Sequence, residues 1–248
     1  MVDAAEQLRQ DLELLRSAVA KAVQETYSLY SAYLETLGRS LKQQLVLTSY
    51  HVCTQIYPQQ FLKLSLSQRH DLQQSLQQLA QQIQHSVQDC LELIAVAQPE
   101  SLEALPELML GQEKLEAAIA ELLHKTSRTV NQLLQANGML PATPLEQVLE
   151  IAAKAEAVGR PVTHNPNLLT AVVESEEGDH PPEASVIAMY LQLGEIEFND
   201  SAVMMQRNQI RQLTAQLHKL QTEIAHKQQA QLVTEAAAAW RSTWPDPV

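Results

Sequence analysis

Residues 8–56 read LRQDLELLRSAVAKAVQETYSLYSAYLETLGRSLKQQLVLTSYHVCTQI, and one spacing rule runs through the whole stretch. Apolar side chains recur every three or four positions: Leu8, Leu12, Leu15, Val19, Val23, Tyr27, Tyr30, Leu34, Leu37, Leu41, Leu45, Val52 and Ile56, with Thr48 filling the one gap. That period is the helical one, and it puts every member of the series on one face. Gly38 sits inside the stripe without shifting its phase. The spacing therefore predicts one helix over 3–57, about 80 Å long if unbroken at 1.5 Å rise per residue. Pro58 ends it.

Working outward, Ser65 and Gln68 have the spacing of a capping box. They open a second amphipathic helix whose stripe runs Leu72, Leu76, Leu79, Ile83, Val87, Leu91, Ile94 and whose other face is glutamine. It extends to about residue 97 before Pro99, and the short connection makes the first two helices an antiparallel hairpin. Ser101 caps a short helix to residue 110, and a longer one follows over 112–136, stopped by Asn137-Gly138. Thr143-Pro144-Leu145-Glu146 starts another, running to Gly159. Asn165-Pro166 repeats that signal for a short helix to Glu174, and 176–183 reads as an exposed loop. Residues 185–198 carry both an alternating and a helical pattern. Helix is the expectation there, because no second strand is evident to pair with it. Asn199-Asp200 then caps a final helix to Trp240, with Val203, Ile210, Leu213, Leu217, Leu220 and Ile224 at heptad a and d positions and Gln206 at one d.

Composition agrees with this reading. Of 248 residues only 6 are glycine and 4% are aromatic, whereas 31 are glutamine, so turn chemistry is scarce and helix formers abound. The expected fold class is all-α: an elongated helical bundle, or antiparallel coiled coil, with a smaller helical module. Three blocks follow: 1–98 as a long hairpin, 99–182 as an acidic helical module, and 183–248 as a C-terminal coiled-coil helix with a tryptophan tail. The net charge of −12 is carried by residues 100–200, with 17 acidic against 5 basic groups, while 201–248 are mildly basic. A chain without clustered basic charge is not built for nucleic acid or anionic lipid. No window of 18 apolar residues offers a transmembrane span. The amino end does not read as a secretory signal. Cys53 and Cys90 are too few to staple the fold, and antiparallel packing would hold them about 25 Å apart, so the expected setting is a reducing cytoplasm.

Few residues carry chemistry. Glu121–His124 and Glu223–His226 have the Glu-x-x-His spacing of di-iron bundles, but they fall off the inward stripes, so the expectation is no metal and no cofactor. His124, outward on a bundle helix, could serve regulatory phosphotransfer. No nucleophile elbow, phosphate-binding glycine loop or Cys-x-x-Cys occurs, and the chain is not expected to be an enzyme. Tyr27, Tyr30 and Tyr33 sweep one side of the first helix, either as packing or as an aromatic patch for a partner. Both tryptophans, Trp240 and Trp244, lie at the end, four residues apart and on one face if the helix continues. They either cap the end of the protein's own bundle or anchor a partner, tryptophan being strongly enriched at binding hot spots.

The run Ala236-Ala237-Ala238-Ala239-Trp240-Arg241-Ser242-Thr243-Trp244, with the glutamine-rich helices, resembles uncharacterised all-helical proteins of cyanobacteria. No catalytic motif travels with that resemblance. The function expected is a non-catalytic scaffold or adaptor, a homodimer that holds protein partners on helical faces. Trp240, Trp244, Tyr27, Tyr30 and Tyr33 are the contact residues expected. Peripheral membrane attachment through the tail is a further alternative.

Overall fold

The computed structural model describes residues 2–157, 162–165, 167–173 and 184–243. The protein is a helical bundle carrying one small antiparallel sheet. Its elements run α1 (Val2–His51), a π-helical turn (Val52–Ile56), α2 (Pro58–Lys63), α3 (Leu66–Asp89), a 3-10 turn (Cys90–Ile94), α4 (Ala104–Ala136), α5 (Leu145–Ala157), β1 (Val162–Asn165), β2 (Leu168–Val173), β3 (Ala184–Met189), α6 (Leu193–Asn199) and α7 (Ser201–Thr243). Several boundaries follow the sequence signals closely. Ser65 Oγ accepts from the Gln68 N–H while Gln68 Oε1 accepts from the Ser65 N–H, a complete capping box. Gly138, at φ 70°, ends α4 in the left-handed conformation that glycine adopts freely. Asp200 Oδ1 accepts from the N–H groups of Ala202 and Val203 and starts α7.

Two compact units divide the chain. One comprises Met1–Ser31, Leu91–Leu115 and Gln206–Val248, the other Ala32–Cys90 and Glu116–Met205, so α1, α4 and α7 each give residues to both. In the first unit, Lys227 Nζ lies 2.5 Å from Asp11 Oδ2 and ties α7 to the start of α1. The short helix expected to end at residue 110 is instead continuous with the next, through Gly111. A Cβ on Gly111 would lie 2.6 Å from the Leu93 carbonyl oxygen. The glycine is there because the 3-10 turn crosses α4 backbone against backbone, which only a residue without a side chain permits.

In the second unit, two stretches expected as helices are strands. The segment after Asn165-Pro166 is β2 and that after Ser185 is β3, followed by the short α6, so the acidic block 99–182 is helical only in part. Asn165 pairs with Leu168, which leaves a two-residue connection with Asn167 at φ 62°. Asn-Pro is a turn starter as well as a helix starter, and asparagine tolerates the left-handed region. Runs such as Leu-Leu-Thr-Ala-Val-Val are too short for periodicity to separate strand from helix. Each of these two strands is the other's partner, so neither shows a partner when the other is taken as helix. Strand order is β1-β2-β3, all antiparallel. On one face Leu169 and Ala188, cross-strand neighbours, pack under Leu145, Val148 and Ala152 of α5, flanked by Val186 and Tyr190.

The outer edge of β3 is closed by a side chain. The Tyr190 N–H donates inward to Asn167 O, so alternation along the strand turns the N–H and C=O of Met189 outward. The buried carboxamide of Asn131 on α4 meets both groups: Oδ1 accepts from Met189 N at 2.9 Å, and Nδ2 donates to Met189 O at 2.8 Å. Two residues on, the Leu191 N–H donates to Ser127 Oγ at 2.9 Å. Helix α4 thus takes the place of a fourth strand. Deeper in this unit the Tyr33 hydroxyl donates to Glu197 Oε1 at 2.7 Å, with both residues buried.

Asn131→Ala should cost about 3 kcal/mol in denaturant unfolding, because two buried backbone groups lose their partners at about 1–3 kcal/mol each. A loss below about 0.5 kcal/mol would show that the edge is not held in this way. A second expectation concerns acid. The hydrogen bond from Lys227 holds the Asp11 carboxyl below its ordinary 3.8. A depressed carboxylate contributes stability above its unfolded pKa and loses it as pH falls through the folded one. The stability gap between wild type and Asp11→Asn should therefore be constant above about pH 5 and close on acidification below 3.8. A gap unchanged at pH 2 would disprove the linkage.

Candidate functional site

Helix α7 buries one residue per heptad along its seam: Val203, Ile210, Leu217 and Ile224. Leu213 and Leu220, at the alternate heptad positions, are half-buried, as is Gln206. Burial then stops. Among residues 225–241 none is buried, yet Leu232, Val233 and Trp240 are 59%, 58% and 65% exposed. Leu232, Ala236 and Trp240 are spaced by four and form one stripe, with Val233 beside it. The other residues of 225–241 are glutamine and alanine with His226, Lys227, Thr234, Glu235 and Arg241. A large apolar stripe in water on an otherwise polar helix marks a contact surface more often than a lone exposed leucine does.

The other residues expected at a contact surface are placed differently. Tyr27 is half-exposed, but Tyr30 and Tyr33 are buried, and Tyr33 serves the hydrogen bond to Glu197. The three do not form one open aromatic patch. Nothing in the sequence flagged Glu197, whose burial depends on how α6 packs. Trp244 lies outside the described residues.

His124 is half-exposed on α4, with Nε2 3.8 Å from Glu146 Oε1. The same carboxylate oxygen is 2.8 Å from Arg128 Nε, so the guanidinium is its nearer partner. Glu121, Glu223 and His226 are exposed, and no group of three or more His, Cys, Asp or Glu side chains among the described residues gathers into a metal site. Both cysteines are free thiols. Burial pushes Cys53 up to about 11, and burial together with the charge of Asp89 raises Cys90, so neither is a ready thiolate at neutral pH.

Among the described residues no helix is long and apolar enough to cross a membrane. Comparison of the chain with protein families, with curated proteins and with solved structures finds no match.

Proposed function

We propose that the protein is a non-catalytic scaffold or adaptor of the cytoplasm that holds protein partners on helical faces, with the distal stripe of α7 as its principal contact. The observation carrying this reading is the exposure of Leu232, Val233 and Trp240 beyond the last buried seam residue, Ile224. Tryptophan in such a position supplies a large apolar surface with little conformational freedom to lose, the property that makes it a hot-spot residue. The acidic stretch 100–200 offers a second, salt-sensitive surface for a basic partner. Self-association into a homodimer belongs to the same reading.

The test is affinity capture of the tagged full-length protein and of Trp240→Ala from the native host, with the melting temperature of each measured in parallel. Loss of a hot-spot tryptophan should weaken a stoichiometric partner by at least about tenfold, or roughly 1.4 kcal/mol. The melting temperature should stay within about 2 °C, since a substitution at an exposed site is worth less than about 0.5 kcal/mol. Melting of the whole chain in the variant would instead make Trp240 a folding residue and end the anchor assignment.

A second reading, regulatory phosphotransfer, is favoured by the accessible imidazole of His124 beside Glu146. Incubation with acetyl phosphate should then give an acid-labile, alkali-stable label that is absent from His124→Ala. An acid-stable label, or one unchanged in the variant, removes this reading.

A further inference from the structure

We propose that the second unit holds a binding site for a small, neutral, amphipathic molecule, in a pocket between the π-helical end of α1 and the first turns of α3. The cavity measures about 340 Å³, within the range of about 300–1,000 Å³ typical of small-molecule sites. Its floor is made by Ser49, Cys53, Leu72 and Leu76, all buried, so a molecule that enters meets core side chains. The π-turn supplies part of that floor. The Tyr57 N–H donates to Val52 O five residues back, at 2.9 Å, and such wider turns occur frequently at functional sites.

One wall is Phe61 of α2, fixed before any ligand arrives. Arg69 donates from Nε to Phe61 O at 3.2 Å and from Nη2 to Leu62 O at 2.6 Å, and its guanidinium stands 5.6 Å over the Phe61 ring. A wall held in this way lowers the ordering cost of binding.

The lining chooses the ligand. No Asp, Glu, Lys, Arg or His borders the cavity, and the Cys53 thiol stays protonated because burial raises it to about 11. A charged molecule would leave water without meeting a counter-charge, a loss of several kcal/mol. A neutral apolar body has Leu72, Leu76 and Phe61 to lie against. At the exposed rim the carboxamides of Gln73 and Gln77, one helical turn apart, and the hydroxyl of Tyr50 are placed for a hydroxyl or carbonyl head.

The experiment is calorimetric titration of the full-length protein with 4-hexylphenol at two temperatures and pH 7.5, alongside 4-hexylbenzoate as the anionic counterpart of similar size. Saturable one-to-one binding of the phenol with a negative heat-capacity change is expected. The benzoate should bind at least about tenfold more weakly, since ionisation adds the uncompensated desolvation described above. Gln77→Trp, at an exposed position on α3, should weaken the phenol at least about tenfold by closing the mouth. Gln73→Trp is an independent block of the same opening should the first variant fail to fold. Absence of saturable binding up to the solubility of the phenol overturns the proposal, as does equal binding of the benzoate or of both blocked variants. Self-association that Gln77→Trp abolishes would assign the pocket to a second copy and overturn it too. Trp240→Ala should leave the titration unchanged, so the pocket and the α7 contact surface stand or fall separately.

Discussion

Helix α4 meets strand β3 through a carboxamide that imitates a peptide group, and the small sheet exists on that condition. A three-stranded sheet of four- and six-residue strands has little pairing of its own, and an isolated edge strand exposes backbone groups that seek another chain. Asn131 supplies one acceptor and one donor at the spacing a neighbouring strand would use, and Ser127 continues the contact at Leu191. The pairing also fixes register. Met189 is held at the edge and faces Leu168 across the sheet, which in turn places Leu169 and Ala188 beneath α5. A slip of one residue would turn Leu169 and Ala188 away from α5 and expose the face that α5 covers.

Polar residues occupy the helical seams as well, by a simple device. Thr26, Ser49, Thr126 and Ser127 are buried, and each hydroxyl donates to the carbonyl four residues earlier. The proton is satisfied within the helix, so a small side chain can sit at an interface without a partner from elsewhere. With only 4% aromatic residues, the protein closes its interfaces with small and aliphatic side chains. Helices then approach closely, as where a Cβ on Gly38 would lie 3.0 Å from Gln84 O.

Signals confined to a few neighbouring residues were legible in the sequence. The capping box at Ser65, the left-handed stop at Gly138, the Asp200 cap and the heptads of α7 all act within one or two turns. What escaped depends on distant partners. The strand character of 168–173 and 184–189 is decided by their pairing and by Asn131, and the continuity of α4 through Gly111 by a backbone crossing that no local rule foresees. The spacing puts Tyr27 inward with the stripe, yet Thr26 takes that position, because the buried face turns slightly along a helix of fifty residues. Of the proposed contact residues, Trp240 is visible in the sequence because its large apolar surface belongs to the side chain itself. The pocket at Cys53 could not, since it arises from a π-turn and the packing of α2 against α3.

The solvent-exposed end of α7 also carries its own helix-forming residues. Beyond Ile224 no residue up to 241 is fully buried, although Lys227 still reaches Asp11, so local helix preference carries more weight in the last turns than along the seam. Ala236 to Ala239 supply that preference, alanine being the strongest helix former and free of side-chain entropy to lose. The stripe from Leu232 to Trp240 is thereby displayed on a ready-made rod. Whatever meets it finds the spacing of its side chains already set and need not induce it.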